Sequence, residues 1–201
     1  MNIIDISRDL LSSPVYPGDP EPYAEFIQTI EGGGECNLST LFACVHTATH
    51  IDAPLHFIED GDSVDMTDLS LYIGPCTVIE AGEGLITADF VERYFPPSAE
   101  RILIKSDSKA AFMDSAAEEA VAMGLKLIGT DAQSVGVKGN QIRPHKAFLG
   151  SGVAVLEGLD LSRVSPGEYF LIAPPIKLVG LEGAPARALL ISDFVFWSGK
   201  N

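Results

Sequence analysis

Three of the four histidines of this chain lie within residues 46–56, in the segment HTATHIDAPLH. Asp52 lies among them. Neutral imidazole and carboxylate are the usual ligands of zinc and its first-row neighbours, and burying such a group without a cation is costly. The cluster therefore predicts a metal site, although a histidine taken alone is more often a surface or hydrogen-bonded core residue.

A shared metal ion would restrict the path of the chain through this segment. Metal–nitrogen bonds are about 2.0–2.1 Å long, whereas a regular strand would hold His46 and His50 about 13 Å apart. We therefore expect the preceding strand to end near His46 and the chain then to curl, so that His46, His50 and Asp52 converge. Pro54 resists a continuing helix or central strand and should turn His56 back toward the site.

The segment does not match two common zinc motifs. A zincin helix needs a glutamate after its first histidine, and Thr47 stands there. A zinc finger needs closely spaced cysteines, and Cys36, Cys44 and Cys76 show no such spacing. We interpret Cys44 as a packing residue of the core.

Length and composition predict one domain over residues 1–201, with a sizeable core. The formal net charge of −15 argues against nucleic acid and anionic membranes as partners. The first residues do not resemble a signal peptide, and no apolar run is long enough for a membrane span. Three scattered cysteines fit a reducing compartment, so we expect a cytoplasmic protein.

The local patterns predict a mixed α/β domain with layered sheets and few, short helices. A capping box at residues 115–118 and Gly124 bound one of the helices. The strand, helix and strand around it imply a parallel pairing. Strands are expected at residues 3–6, 25–30, 38–45, 75–80, 101–105, 125–128, 152–157, 169–173 and 187–196, and helices at 87–94, 115–123 and 146–149.

Several isolated polar residues are also candidates for function. Glu157 ends an apolar run, where a carboxylate is either a coordinating group or a strand-end surface acid. His145 follows Pro144 in a loop or helix start, and a histidine in such a position is more often a structural residue than a metal ligand. Asp131 could line a pocket, support a ligand histidine or cap a loop, and Asp107 has the same alternatives. Arg187 could meet a substrate carboxylate or be structural.

Residues 46–57 resemble the His-x-Gly-Thr-His-x-Asp-x-Pro-x-His-Phe signature of the putative cyclase family, which includes bacterial kynurenine formamidase and isatin hydrolase. Further segments resemble the family in the same order along nearly the whole chain. They are residues 16–19, His145, and residues 150–153, 157–159, 173–177 and 183–188.

The resemblance implies a swivelling β/β/α domain that holds two divalent metal ions, zinc or alternatively manganese, in a homodimer or homotetramer. The first ion would be held by His46, His50, Asp52 and Glu157. The second would be held by Asp52, His145 and Glu157, so that both carboxylates bridge.

The same resemblance assigns roles around the ions and shows departures from the family pattern. His56 would be the proton donor and acceptor, or alternatively a further ligand. Tyr16 matches the position at which formamidases place an aromatic residue against the substrate. In kynurenine formamidase we associate this position with tryptophan, so tyrosine is a departure. Ala48 replaces the glycine of Gly-Thr-His, and since a methyl group restricts positive φ, we expect a loop conformation that suits alanine.

These residues together predict a metal-dependent hydrolase that cleaves the C–N bond of a small N-formyl, N-acyl or cyclic amide. A metal-activated hydroxide would attack the carbonyl, and His56 would pass a proton to the leaving nitrogen. Two alternatives remain open. One is a cyclase or dehydratase that uses the same ions, and the other is a non-catalytic, metal-dependent small-molecule binding protein.

Overall fold

The computed structural model describes residues 1–193. Thirteen strands occur in this range: β1 (Asn2–Asp5), β2 (Tyr23–Gln28), β3 (Leu38–Phe42), β4 (His50–Asp52), β5 (Ile73–Glu80), β6 (Gly84–Ile86), β7 (Arg101–Lys105), β8 (Ala110–Phe112), β9 (Leu127–Thr130), β10 (Ala154–Glu157), β11 (Gly167–Ile172), β12 (Gly183–Pro185) and β13 (Leu189–Ser192). The helices are α1 (Ala88–Tyr94), α2 (Asp114–Ala122) and α3 (Ile142–Gly150), with short 3-10 turns at Pro54–His56, Val64–Met66 and Leu69–Leu71.

A nine-stranded mixed sheet forms the centre of the molecule, in the order β1-β13-β11-β5-β7-β9-β10-β4-β12. The four strands from β5 to β10 in this order pair in parallel, and the flanking strands pair antiparallel. Ile102, Leu103 and Ile104 of β7 are buried, as expected for a strand covered on both faces. No helix within residues 1–193 is long and apolar enough to cross a bilayer.

Alternate residues of the central strands enter two separate hydrophobic clusters, one on each face of the sheet. Ile102 and Ile128 belong to the cluster that contains the buried side chains of α1, α2 and α3. Leu103 and Leu127 point the other way, into a cluster built from strands, turns and loops. The helices therefore cover one face, and the predicted mixed α/β fold with few, short helices is confirmed.

Some boundaries differ from those that the sequence predicts. The capping box is wrong, because α2 begins at Asp114 and its N-cap, Met113, makes no side-chain cap. The third helix begins at Ile142, earlier than predicted, and includes His145. The last strand ends at Ser192, and positions 194–196 of its predicted range lie outside the described residues. Strands β4, β6, β8 and β12 were not predicted.

Strands β2 and β3 form a hairpin that is separate from the large sheet. Every residue of β3 is exposed, and so are all residues of β2 except its last, Gln28. Tyr23 and Phe42 stack across the hairpin with ring centroids 5.3 Å apart. Both faces of this hairpin thus lack cover from the rest of the described chain.

Candidate metal centre

The candidate metal centre lies at β4, which pairs with β10 on one side and with β12 on the other. The register places His50 directly opposite Glu157. His50 and Asp52 are two residues apart on one strand, so their side chains share a face. Antiparallel pairing therefore joins ligand candidates from distant parts of the chain.

His46 reaches the same place from the turn that precedes β4. Its Nδ1 lies 2.9 Å from Oδ1 of Asp52. The ring packs against Gly183 of β12, where a Cβ atom would lie 2.8 Å from Cε1 of His46. His46, His50 and Asp52 converge as expected, but only His46 lies in a turn, because the other two belong to a strand.

His145 approaches the centre from α3. Its Nε2 lies 3.1 Å from Oε1 of Glu157 and 3.4 Å from Oδ2 of Asp52. Its Nδ1 donates to the backbone carbonyl of Gln141 at 2.7 Å, and Nδ1 of His50 donates to that of Ala48 at 3.0 Å. These carbonyl contacts fix the ring orientations, so that Nε2 of both histidines faces the carboxylates.

Two groups of three residues bring their potential ligand atoms within 4.8 Å of one another. Asp52 belongs to both groups. The first comprises His46, His50 and Asp52, and the second comprises Asp52, His145 and Glu157. Glu157 is not in the first group, although its Oε2 lies 3.5 Å from Nε2 of His50. The structure thus brings all five predicted ligands together and places both carboxylates next to His50 and His145.

The charges at this centre are buried and mutually compensating. The side chains of Asp52 and Glu157 are 1% and 5% exposed. Burial opposes ionisation of Asp52, but hydrogen bonds from His145, His46 and His50 outweigh it and hold the pKa of Asp52 well below its usual value. Burial also opposes the charge on His50 and His145, yet the two carboxylates raise the pKa of each to about 10. The carboxylates therefore require positive charge beside them.

Two buried atoms at the centre support metal cations as the source of that charge. Nε2 of His46 and Oδ2 of Asp52 have no well-formed hydrogen bond among residues 1–193. Their nearest polar contacts are long, at 3.5 Å from His46 Nε2 to Glu182 Oε1 and 3.4 Å from Asp52 Oδ2 to His145 Nε2. Buried polar atoms rarely remain unpaired, and both atoms are of the kinds that bind zinc and related ions. The donor set therefore fits divalent metal ions.

His56 lies beside the ligands but belongs to neither group. Its ring stacks on His46 with centroids 4.0 Å apart and meets Phe57 edge-on at 4.3 Å. Burial lowers the pKa of His56. Its ring nitrogens make no hydrogen bond to any of the residues that the structure describes. A neutral imidazole with free nitrogens can exchange a proton with a bound substrate.

The centre opens into a cavity of about 230 Å³, which Tyr16 also lines. The loop carrying Tyr16 is closed by a turn in which Asp19 N–H donates to Tyr16 O at 3.0 Å. Gln133 Nε2 donates to Pro14 O at 2.7 Å and holds this loop over the cavity. The sequence interpretation missed Gln133, since nothing in the local pattern marks it.

A set of hydrogen bonds behind the metal ligands also went unnoticed in the sequence. Arg8 N–H donates to Thr49 Oγ1 at 2.9 Å, and this hydroxyl donates to Gly158 O at 2.6 Å. Val135 N–H donates to Oε1 of Glu157 at 2.7 Å. These bonds join the loop before β4 to the end of β10. Thr49 adjoins the histidine cluster, but no signal marks Arg8 or Val135.

The expectation that the loop avoids positive φ at Ala48 is wrong. Ala48 has φ 59°, in the left-handed region that favours glycine. The loop needs this conformation because Ala48 O accepts from His50 Nδ1. Alanine therefore keeps the glycine conformation, with some backbone strain.

The other candidates lie away from the centre. Asp131 accepts from Ser106 N–H and Oγ–H, both at 2.8 Å, and so caps a loop. Asp107 is exposed in that loop, with φ 53°. Arg187 forms an ion pair with Asp5 in β1. This ion pair gives the guanidinium of Arg187 a structural partner.

A layered α/β fold with buried imidazoles and carboxylates around one cavity defines a class of metal-dependent enzymes. The sequence model of the putative cyclase family matches residues 4–137. The chain belongs to this family.

Individual proteins support the same assignment. The chain is 35% identical over 206 residues to a kynurenine formamidase of Salinibacter ruber, with 94% of this chain and 97% of the relative covered. A solved structure described as a potential metal-dependent hydrolase with cyclase activity is 30% identical, with TM-score 0.82 and coverage of 94% and 96%. Isatin hydrolase A from Labrenzia aggregata shares the fold at 20% identity, with TM-score 0.81 and coverage of 94% and 93%.

Proposed function

We propose that residues 1–201 form one domain of a metal-dependent hydrolase that cleaves the C–N bond of a small N-formyl, N-acyl or cyclic amide. The observation that carries this proposal is the pair of buried carboxylates, Asp52 and Glu157, surrounded by histidines at the floor of a cavity. The relatives named kynurenine formamidase support an amide as the substrate class.

We further propose two divalent ions, zinc or alternatively manganese. His46, His50, Asp52 and Glu157 would hold the first, and Asp52, His145 and Glu157 the second. The contacts of Glu157 with both His50 and His145 support its bridging role. When bound, such ions supply Lewis-acid chemistry, which polarises a carbonyl and makes water more acidic.

The chain's own side chains position the substrate and move its proton. His56, with free ring nitrogens beside the ligands, would take a proton from the attacking water and pass it to the leaving nitrogen. Tyr16 would place its ring against the substrate at the cavity wall. The buried ion pairs around Asp52 would keep the ligands rigid while the substrate enters and leaves.

The test is turnover by metal-loaded protein with N-formylkynurenine, isatin and simple lactams, and the mass of each product. Hydrolysis adds one water to the substrate, and this gain is the expected result. Loss of water or an isomeric product would identify the cyclase or dehydratase instead. Binding of these compounds without any turnover would support the alternative of a non-catalytic binding protein. Protein stripped with a chelator is the control, and it should be inactive until metal is restored.

We also propose that the chain forms a homodimer or homotetramer through the β2–β3 hairpin, with a second copy of the chain as the occupant of its apolar surface. Seven large apolar side chains of the hairpin are 47–68% exposed: Tyr23, Phe26, Ile27, Ile30, Leu38, Leu41 and Phe42. Together they expose on the order of 700 Å², close to the ~800 Å² that one partner buries in a standard interface. An isolated two-stranded hairpin is only marginally stable, so a covering partner would stabilise it.

Charge and cysteine content also bear on the partners and the cellular location of the protein. The net charge of −15 favours a small-molecule substrate over nucleic acid or an anionic membrane. The three cysteines are free, with Cys36 exposed and Cys76 buried. Free thiols are typical of a reducing compartment, which supports the cytoplasm as the location.

A further inference from the structure

We propose that a groove beside the candidate metal centre binds a carboxylate on the substrate, at the end remote from the bond that is cleaved. This inference rests on the proposed amide hydrolysis and specifies its substrate class. The groove, called here the cationic groove, is a cavity of about 550 Å³. It shares Tyr16, Gln133, Ser134 and Gln141 with the cavity over the metal ligands. One ligand can therefore extend from one cavity into the other.

The charges that line the cationic groove all have the same sign. Arg8, Lys109 and Lys138 line it, and no aspartate or glutamate of residues 1–193 does. The whole chain carries 28 acidic and only 13 basic residues. A cavity whose charged side chains are all basic is therefore unusual in so acidic a protein. Its positive potential would attract an anion toward the candidate metal centre.

Arg8 forms no ion pair with a carboxylate among residues 1–193, although its charge helps to lower the pKa of Asp160. Its Nε donates to Leu159 O at 3.1 Å, and its Nη2 donates to Asp131 O at 2.6 Å and to Ser108 Oγ at 2.9 Å. All three acceptors are neutral. These bonds fix the guanidinium in place at the side of the groove and leave its positive charge available.

The charges of Lys109 and Lys138 are also available to a bound anion. Lys109 lies 4.0 Å from Glu83, and both side chains are exposed, so this ion pair is weak. Lys138 is exposed and makes no ion pair with the residues described in the structure. Either ammonium can turn toward a bound anion at little cost.

The walls of the groove suit the organic part of such a ligand. Pro14, Tyr16, Ala111 and Val137 give it apolar surface. A phosphate would gain nothing from these walls, whereas an aryl or alkyl chain ending in a carboxylate would contact them and reach the lysines. The preferred substrate is thus an N-formyl or N-acyl amine with a carboxylate, rather than its neutral analogue.

A matched pair of substrates tests this specificity. Metal-loaded protein is assayed with 3-formamidobenzoate and with formanilide, which lacks only the carboxylate. We expect a higher kcat/KM for 3-formamidobenzoate, and we expect added salt to reduce the difference. In the double variant Lys109→Gln/Lys138→Gln, kcat/KM for 3-formamidobenzoate should fall about three- to tenfold, mainly through KM, with little change for formanilide.

The control variant is Lys177→Gln, which removes an exposed lysine that does not line the groove. It should leave the preference for the carboxylate unchanged. Equal losses on both substrates, an equal effect of Lys177→Gln, or no preference in the unaltered protein would overturn the proposal.

A binding measurement separates this proposal from the proposed function. Calorimetric titration with 3-aminobenzoate and with aniline needs no turnover. Tighter binding of 3-aminobenzoate, lost in the double variant, would support the groove even if no amide were hydrolysed. Equal or absent binding of the two compounds would contradict the groove even in an active hydrolase.

Discussion

The carbonyl oxygen of Ala48 lies so close to the α-carbon of Gly158 that a Cβ atom at position 158 would overlap it. Both residues have left-handed backbone conformations, with φ 59° for Ala48 and 68° for Gly158. The contact joins the loop that carries His46 and His50 to the residue after Glu157. Two parts of the candidate metal centre are therefore held together by the backbone itself.

Replacing Gly158 with alanine should damage both the fold and the metal centre. The left-handed conformation alone costs about 1–2 kcal/mol for a residue with a Cβ atom, and the overlap with Ala48 adds to it. Gly180→Ala is the matched control, since Gly180 has φ 78° but open space around the added atom. Denaturant unfolding should show the larger loss of stability at Gly158, together with reduced metal content. Equal losses at the two positions would mean that the contact is unimportant.

Replacing Ala48 with glycine should stabilise the protein by about 0.5–1 kcal/mol. The gain from relieving the left-handed strain exceeds the added flexibility of the unfolded chain. Ala122→Gly, at the exposed end of α2, is the control and should be destabilising. The free energy of unfolding of the metal-free protein measures both changes. A loss of stability in Ala48→Gly would contradict the assigned strain.

Replacing His56 with alanine should lower kcat by about 10²- to 10⁴-fold and leave metal content unchanged. The reason is that the ring nitrogens of His56 make no hydrogen bond within residues 1–193, so they are free to move a proton, and His56 belongs to neither group of potential ligands. Elemental analysis of the purified variant measures its metal content. His145→Ala serves for comparison and should lose metal. Loss of metal in His56→Ala would make His56 a ligand.

Replacing Glu157 with alanine should remove both metal ions or leave one weakly held. Its carboxylate belongs to the second group of potential ligands, where it lies 3.1 Å from His145 Nε2, and it also lies 3.5 Å from Nε2 of His50 in the first group. Metal per chain is measured after equilibration with zinc. The control is Glu168→Ala, which removes an acid on β11 that is bonded to Thr77. Unchanged stoichiometry in Glu157→Ala would rule out the bridging role.

Replacing Phe26 with glutamate should dissociate the proposed oligomer. Phe26 is 68% exposed on the hairpin, and a charge there would oppose burial against a second copy. Met66→Glu is the control, because Met66 is also 68% exposed but lies in a 3-10 turn elsewhere. Light scattering during size-exclusion chromatography gives the mass of each variant. A monomeric unaltered protein, or dissociation by both variants, would be evidence against this interface.

The parts of the structure that local patterns specify were predictable from the sequence. Continuous apolar runs such as residues 102–104 identified the buried parallel strands, because strands covered on both faces lack polar alternation. The histidine cluster marked His46, His50 and Asp52 as candidate ligands through their chemistry. The convergence of His145 and Glu157 on that cluster followed only from the family resemblance, since it depends on the pairing of strands far apart in the chain.

Other features could not be predicted because they depend on tertiary contacts. Strands β4 and β12 have three residues each. This length is too short for an alternating apolar pattern, and the segments are strands only because they pair with their neighbours in the sheet. The predicted third helix begins at residue 146, whereas α3 begins at Ile142 and includes Pro144, because proline is tolerated in the first turn, where its missing N–H costs nothing. The backbone of Ala48 is fixed by His50 and Gly158, and no local preference of alanine indicates a positive φ.

The position of β4 between β10 and β12 has a consequence for synthesis of the protein on the ribosome. His50 and Asp52 are made well before their neighbours in the sheet, Glu157 and Gly183. A nascent or truncated chain lacking these residues has the histidine cluster without the second carboxylate or the packing for His46. Tight capture of cations is thus postponed until residues 157 and 183 have both been translated, so that stable metal loading marks a chain that contains them.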